Sequence, residues 1–172
     1  MSAVQYLLDA NVFIEAKKRY YGFSICPGFW EALVWHHGDG SVWSIDRVKD
    51  EIAGFGDDLS DWVRDEVPDT AFCTTNTPAV TQLYGDVIRW AMADPQYNQG
   101  AKAEFAKAKV ADAWLVAYAA ASGMTLVTHE TLDEQIKRRV KIPNACRQFG
   151  VPYIDTFDML AALACEFAWT CP

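Results

Sequence analysis

Tyr6-Leu7-Leu8-Asp9-Ala10-Asn11-Val12-Phe13-Ile14 decides how this 172-residue chain is read. Ala3–Leu8 is an apolar run long enough for one strand, Asp9-Ala10-Asn11 interrupts it, and Val12–Arg19 continues with helical spacing. Strand, acid, helix is the first unit. A related arrangement returns late in the chain, where a helix over Val110–Ser122 ends at Gly123 and Met124–Thr128 reads as a strand leading through His129 to Glu130. Helices alternating with short apolar strands predict an α/β domain with a mainly parallel sheet.

Between these landmarks, Tyr20–Gly28 is loop-like, and Pro27 is placed to open a helix over Gly28–His37 that stops at Gly38-Asp39-Gly40. Ser41–Ile45 is extended, and Asp46 can cap a helix that carries Asp50 and Glu51 and ends at Gly54 and Gly56. An acidic helix near Leu59–Val67 precedes a strand candidate over Ala71–Thr75, and Pro78 begins a helix reaching about Met92. Asp94–Gly100 is the most loop-like stretch and leads into an Ala/Lys helix, Ala101–Lys109. The remaining pattern gives a short helix over Pro143–Phe149, a strand over Val151–Ile154 and an apolar helix over Thr156–Ala168. With no repeat or linker, residues 1–172 read as a single domain.

Composition narrows the functional classes. The chain is 51% hydrophobic and 22% charged, which suits one sizeable core. A net charge of −8 excludes nonspecific wrapping of nucleic acid by a uniformly basic surface. Most of the excess acid lies in residues 39–69, with 10 acids against 3 bases, whereas residues 97–147 hold 8 bases against 5 acids. Cys26, Cys73, Cys146, Cys165 and Cys171 are scattered, with no CxxC pair and no His/Cys spacing for zinc, so they read as reduced thiols in a cytoplasmic protein. The N-terminus lacks a basic n-region, and Val110–Val127 is broken by Asp112, Ser122 and Gly123, so neither export nor membrane insertion is expected.

Sites in open α/β sheets gather at the carboxyl ends of strands. Asp9 stands at such an end, where it could equally cap the following helix. Glu130 follows the later strand, as a first-turn helix acid also would. Asp112 lies in apolar surroundings, so its charge must be paired, metal-bound, exposed in a cleft or stabilised by the helix dipole. Glu51 is one acid among many and gains meaning only beside the other three. There is no GxSxG, catalytic cysteine motif or Walker loop to suggest other chemistry. Four distant carboxylates suggest oxygen ligation of Mg²⁺ or Mn²⁺, which activates water and neutralises charge on a phosphodiester.

The segment Tyr6–Ile14 resembles the opening strand and turn of PIN-domain ribonucleases, an apolar strand followed by Asp-x-Asn/Ser-apolar. Ser44–Ile52 is similar to the segment bearing that family's second acid, Ala111–Ala119 to the third and Leu126–Glu130 to the fourth. Pro27-Gly28-Phe29-Trp30, Lys141–Cys146 and Phe149-Gly150-Val151 more narrowly resemble the DUF4411 group of bacterial PIN-like proteins. The resemblance implies a three-layer α/β/α PIN-like domain with four to five short strands. It implies Asp9, Glu51, Asp112 and Glu130 as catalytic metal ligands, with Asn11 and Thr128 orienting them. Asp133 rivals Glu130, since many PIN proteins carry Asp at the fourth position, and Asp50 rivals Glu51. The implied activity is an endoribonuclease leaving 5′-phosphate and 3′-hydroxyl ends, a VapC-like toxin of a type II pair restrained by an antitoxin protein.

Three basic clusters are candidates for the RNA backbone: Lys17-Lys18-Arg19, then Lys102, Lys107 and Lys109, then Lys137, Arg138 and Arg139 with Lys141. Each could equally be a solvated face. Tyr20, Tyr21 and Trp35 are candidates for stacking on unpaired bases, with core packing the rival for Trp35. The acidic segment 39–69 and the apolar Leu160–Trp169 are candidate contact surfaces for the antitoxin or a second copy in a homodimer. Two other readings share the four acids: a DNA or structure-specific nuclease, and a PIN-like regulatory binding module without useful turnover.

Overall fold

The computed structural model describes residues 4–171. Ala3, the first residue of the expected opening strand, lies outside that range. Strand β1 (Tyr6–Leu8) is buried along its whole length, as expected of a parallel strand covered on both faces. Helix α1 (Ala10–Glu15) follows directly and runs into a π-helical turn, Ala16–Tyr20. Helix α2 (Pro27–Gly38) begins with Pro27, whose missing N–H costs nothing in the first turn, and leads to β2 (Val42–Ile45).

Helix α3 (Asp46–Ala53) is entered from Ile45, which occupies the cap position. Asp46 is therefore not the cap. Its carboxylate instead accepts bonds from the Thr75 amide (2.9 Å) and hydroxyl (2.8 Å), fastening α3 to the far end of the next crossover. Helix α4 (Asp58–Asp65) starts with a capping box formed by Asp57 and Ser60. A 3₁₀ turn then brings the chain to β3 (Phe72–Cys73), shorter than the sequence pattern suggests.

Helix α5 (Pro78–Ala93) and helix α6 (Gln99–Phe105) are capped by Thr77 and Asn98. The latter stops short of the expected Lys109, and the Trp114 indole N–H reaches the Ala108 carbonyl at 3.0 Å in the turns that follow. Helix α7 (Ala111–Ser122) is apolar nearly all round and largely buried. Gly123 ends it in the left-handed conformation, at φ 73°, before β4 (Thr125–Val127). Helix α8 (Ile142–Phe149), β5 (Tyr153–Ile154) and helix α9 (Thr156–Ala162) complete the domain. The last helix is shorter than the Thr156–Ala168 expected. Its end is closed by the Cys165 amide bonding to the Leu160 carbonyl, with Ala164 at φ 54°.

All five strands are parallel in one sheet, in the order β3-β2-β1-β4-β5. With this order, the right-handed rule for parallel crossovers assigns the β1-to-β3 connections to one face and the β3-to-β5 connections to the other, consistent with three α/β/α layers. Aromatic contacts knit the first face: Phe13 with Trp62, Trp30 with Trp62, and Tyr21 with Phe157. On the other, α7 packs against α5 and α8. The direction of the connections reverses between β1 and β4, so their carboxyl ends form the crevice where such folds place ligands. Among the described residues, no helix is long and apolar enough to cross a membrane.

Candidate functional site

Asp9 emerges from β1 into that crevice, 2% exposed. Although it is the residue that caps α1, its side chain makes no cap hydrogen bond. Its Oδ2 instead accepts from Asn11 Nδ2 (3.2 Å) and Thr128 Oγ1 (2.9 Å), so the side chain does not serve as the cap. The β1–β4 register, with Leu8 opposite Val127, sets Asp9 beside Thr128. Thr128 also accepts from the Glu130 amide at 3.2 Å, so one hydroxyl ties the first acid to the segment carrying the fourth.

Burial, followed by the charges of Asp112 and Glu130, pushes the Asp9 carboxyl up to about 8, with a smaller rise from Glu51 and opposition from the Thr128 hydrogen bond. Asp112, in the first turn of α7, is pushed up to about 6, first by burial and then by Glu130, against the pull of the Arg139 guanidinium. Glu51 is solvent-exposed on α3, yet partial desolvation raises its carboxyl as well. The four acids named from the sequence thus come from four separate parts of the chain, and the charges of Glu51 and Glu130 act on both Asp9 and Asp112.

Glu130 is held on one side by a hydrogen bond and met on the other by a cation. Its Oε2 accepts the Ile142 amide at 2.8 Å, at the N-terminus of α8. Its Oε1 is buried and has no hydrogen bond. Arg139 makes an ion pair with that oxygen and lies 3.6 Å from Asp112 Oδ2, without its N–H groups being aligned for a hydrogen bond to Oε1. Among the described residues, no three of these side chains stand close enough to make a ready-made ion cage. The donor chemistry nonetheless fits a hard cation: every candidate ligand is a carboxylate oxygen, and one of them, the buried Glu130 Oε1, receives no hydrogen bond among the described residues.

An open cleft of about 720 Å³ is lined by two of these acids, Glu51 and Asp112, together with Lys109, Arg138 and Arg139 among others. Asp50 also lines it, but Glu51 is the acid whose charge reaches Asp9 and Asp112. Asp133 is not among the groups whose charge shifts Asp9 or Asp112; its Oδ1 accepts the Gln135 amide at 3.0 Å and its backbone is clasped by Asn144.

Of the basic candidates, Lys109, Arg138 and Arg139 reach this cleft. Lys17 pairs with Asp57 and Asp58 and, with Lys18, lines a separate groove. Arg19 pairs with Glu15, Lys107 with Glu104, and Lys141 donates to the Thr131 carbonyl. Lys102 is buried, its ammonium donating to the Met92 carbonyl at 2.9 Å, so it forms no part of a basic surface.

Sequence reasoning places Arg139 only on an RNA-facing surface and misses its contact with the acids, a matter of loop conformation that periodicity does not encode. It also misses Cys146, whose thiol is pushed up to about 12 by burial and then by the Glu130 and Asp9 charges. The spacing Ile142, Ala145, Cys146 along the buried side of α8 was the available signal.

Fold and site together define a parallel α/β domain with a carboxylate cluster at its strand switch point. The chain matches the family described as Domain of unknown function (DUF4411) over residues 6–167, and it belongs to that family. No match was found among curated proteins.

Proposed function

We propose that this protein is a PIN-like, Mg²⁺- or Mn²⁺-dependent endoribonuclease, acting in the cytoplasm as the toxin of a bacterial type II toxin–antitoxin pair. The observation that carries the nuclease reading is the convergence of Asp9, Asp112 and Glu130 on one crevice, two of them with strongly raised carboxyls and the third with a buried oxygen met, among the described residues, by Arg139 alone. Such a cluster is costly to fold unless a cation offsets it. The toxin role rests on the resemblance alone.

Asp9, Glu51, Asp112 and Glu130 would hold the ion, which when bound neutralises charge developing on a phosphodiester and makes water a better nucleophile. The chain's own contribution is preorganisation. Asn11 and Thr128 fix Asp9, and the Ile142 amide fixes Glu130. Lys109 and Arg138 supply positive charge at the rim of the cleft, where an RNA backbone would enter.

The test is incubation of the purified protein with a mixed RNA pool and matched DNA, under Mg²⁺, Mn²⁺ or EDTA. The expected outcome is metal-dependent RNA cleavage that is lost in Asp9→Asn and Asp112→Asn. Equal cleavage by wild type and both variants would overturn the reading. Preferential cutting of DNA would reassign the substrate, and silence from folded protein with every metal would leave the binding-module alternative.

A further inference from the structure

Tyr20 and Tyr21 are neighbours in sequence with opposite fates in the fold. Tyr21 stacks on Phe29, with centroids 4.6 Å apart and planes 11° from parallel, and contacts Phe167 behind it. Tyr20 turns outward, 47% exposed, and meets Phe157, itself 42% exposed, edge to face at 5.2 Å. His129 completes a trio, 6.2 Å from Tyr20 and 5.8 Å from Phe157. Its Nε2 is hydrogen-bonded to Thr156 Oγ1 at 2.9 Å, and Thr156 is buried. The group is thus anchored from beneath while two large rings keep nearly half their surface open.

Its position gives this exposure a meaning. His129 is the second residue beyond β4 and Phe157 the third beyond β5, so the rings lie along the carboxyl edge of the sheet. The segment Thr128-His129-Glu130 carries both features: Thr128 holds Asp9, Glu130 enters the carboxylate cluster, and His129 joins the rings. A chain bearing −8 net charge, with Lys17, Arg19 and Lys107 committed to its own acids, has limited electrostatic grip on a polyanion. Flat apolar surface along the carboxyl edge of the sheet supplies affinity of another kind, because every nucleobase offers a π-face.

We propose that Tyr20, His129 and Phe157 form a stacking platform for an unpaired nucleobase flanking the phosphodiester to be cut, so that the substrate is single-stranded at that point. The assignment rests on the endoribonuclease reading for its substrate. A base stacked here would fix the register of the strand across the acids, whatever its identity, making strandedness rather than sequence the feature these rings select.

The experiment uses the full-length Asp112→Asn protein, which binds without cutting, and a single-stranded RNA carrying 2-aminopurine, whose fluorescence is quenched by stacking. Tyr20→Leu and Phe157→Leu, introduced singly, are compared with Tyr20→Phe, which retains the ring; unchanged Tm confirms folding. Each Leu variant is expected to weaken single-strand binding by roughly tenfold and to lose quenching, with Tyr20→Phe near the parent and a fully paired RNA unaffected. Unchanged affinity and quenching in both Leu variants would overturn the platform, as would equal losses on paired and single-stranded RNA. Cleavage is measured separately in the Asp112 background restored to wild type. Metal-dependent cutting with no Leu effect on KM discards the platform and keeps the nuclease, whereas quenching without cutting by any metal keeps the platform and discards the nuclease.

Discussion

The molecule has two acidic regions, and the one with fewer acids has the stronger chemistry. Residues 39–69 hold 10 acids, most of them at the surface. There, Lys17 beside Asp57, Arg64 beside Asp65 and Lys49 beside Asp69 hold the carboxyls below their usual range. At the β1–β4 crevice, Asp9 and Asp112 are pushed the other way, first by burial and then by neighbouring acids: Asp112 and Glu130 at Asp9, and Glu130 at Asp112. Carboxylates facing solvent find lysines and arginines; those drawn beneath the surface by strand ends and an apolar helix do not find enough. Glu51 belongs to the first region by sequence and to the second by position, so counting charge along the chain does not locate the site.

The widest separation between the two regions should appear in activity. Asp112→Asn is expected to reduce metal-dependent cleavage by about a thousandfold or more, the rate equivalent of several kcal/mol of lost charge stabilisation. Asp61→Asn, an exposed acid paired with Arg64, is expected to leave it unchanged. Comparable losses in both would erase the distinction. Thr128→Val removes the hydroxyl that holds Asp9 while preserving shape, and should cost about ten- to a hundredfold in metal affinity, read by calorimetric titration with Mn²⁺. An affinity equal to wild type would mean that Asp9 needs no such support.

Much of this contrast was legible in the sequence, and the illegible part has a physical cause. The strand–acid–helix unit at Tyr6–Ile14 carries its own periodicity, so β1, α1 and the placement of Asp9 follow from local pattern. The same holds for Asp112 in an apolar helix and for Gly123 closing it. What failed were decisions made by tertiary contact. The sequence offered Asp46 as a cap, but Thr75, 29 residues away, claims its carboxylate. An apolar run to Ala168 suggested one long helix, but Phe167 packs on Tyr21 and Phe29, and the Cys165 thiol meets His36 Nε2 at 3.3 Å. Lys102 looked like part of a basic face because nothing local shows that Met92 offers its carbonyl. Arg139 needed the conformation of a loop.

The difference in protonation also gives a stability signature that can be read without substrate. Asp9 and Asp112 have folded-state pKa values above the unfolded value of 3.8, so the folded protein binds more protons than the unfolded chain between those limits. In EDTA, stability should therefore fall as pH rises from about 4 to 8, read as a Tm that declines across that range. Mn²⁺ should offset the loss most strongly near pH 8, where the carboxylates are free of protons. A flat or rising Tm across that range in EDTA would show that the crevice acids are compensated by protein groups alone.

The smallest effect is expected in the acidic segment, where the comparison can be sharpened from the other side. Lys17 pairs with both Asp57 and Asp58, but Asp57 also accepts the Leu59 and Ser60 amides as the α4 cap, whereas Asp58 has 64% of its side chain exposed. Asp58→Asn therefore removes only a surface charge from a lysine that retains its second partner, and should change stability by less than about 1 kcal/mol. Asp57→Ala removes a cap as well as a charge and should cost about 1 kcal/mol more. Urea unfolding of the two variants separates the contributions: equal losses would mean that the ion pair, not the cap, holds α4, and that charge in this region matters to the fold more than its exposure implies.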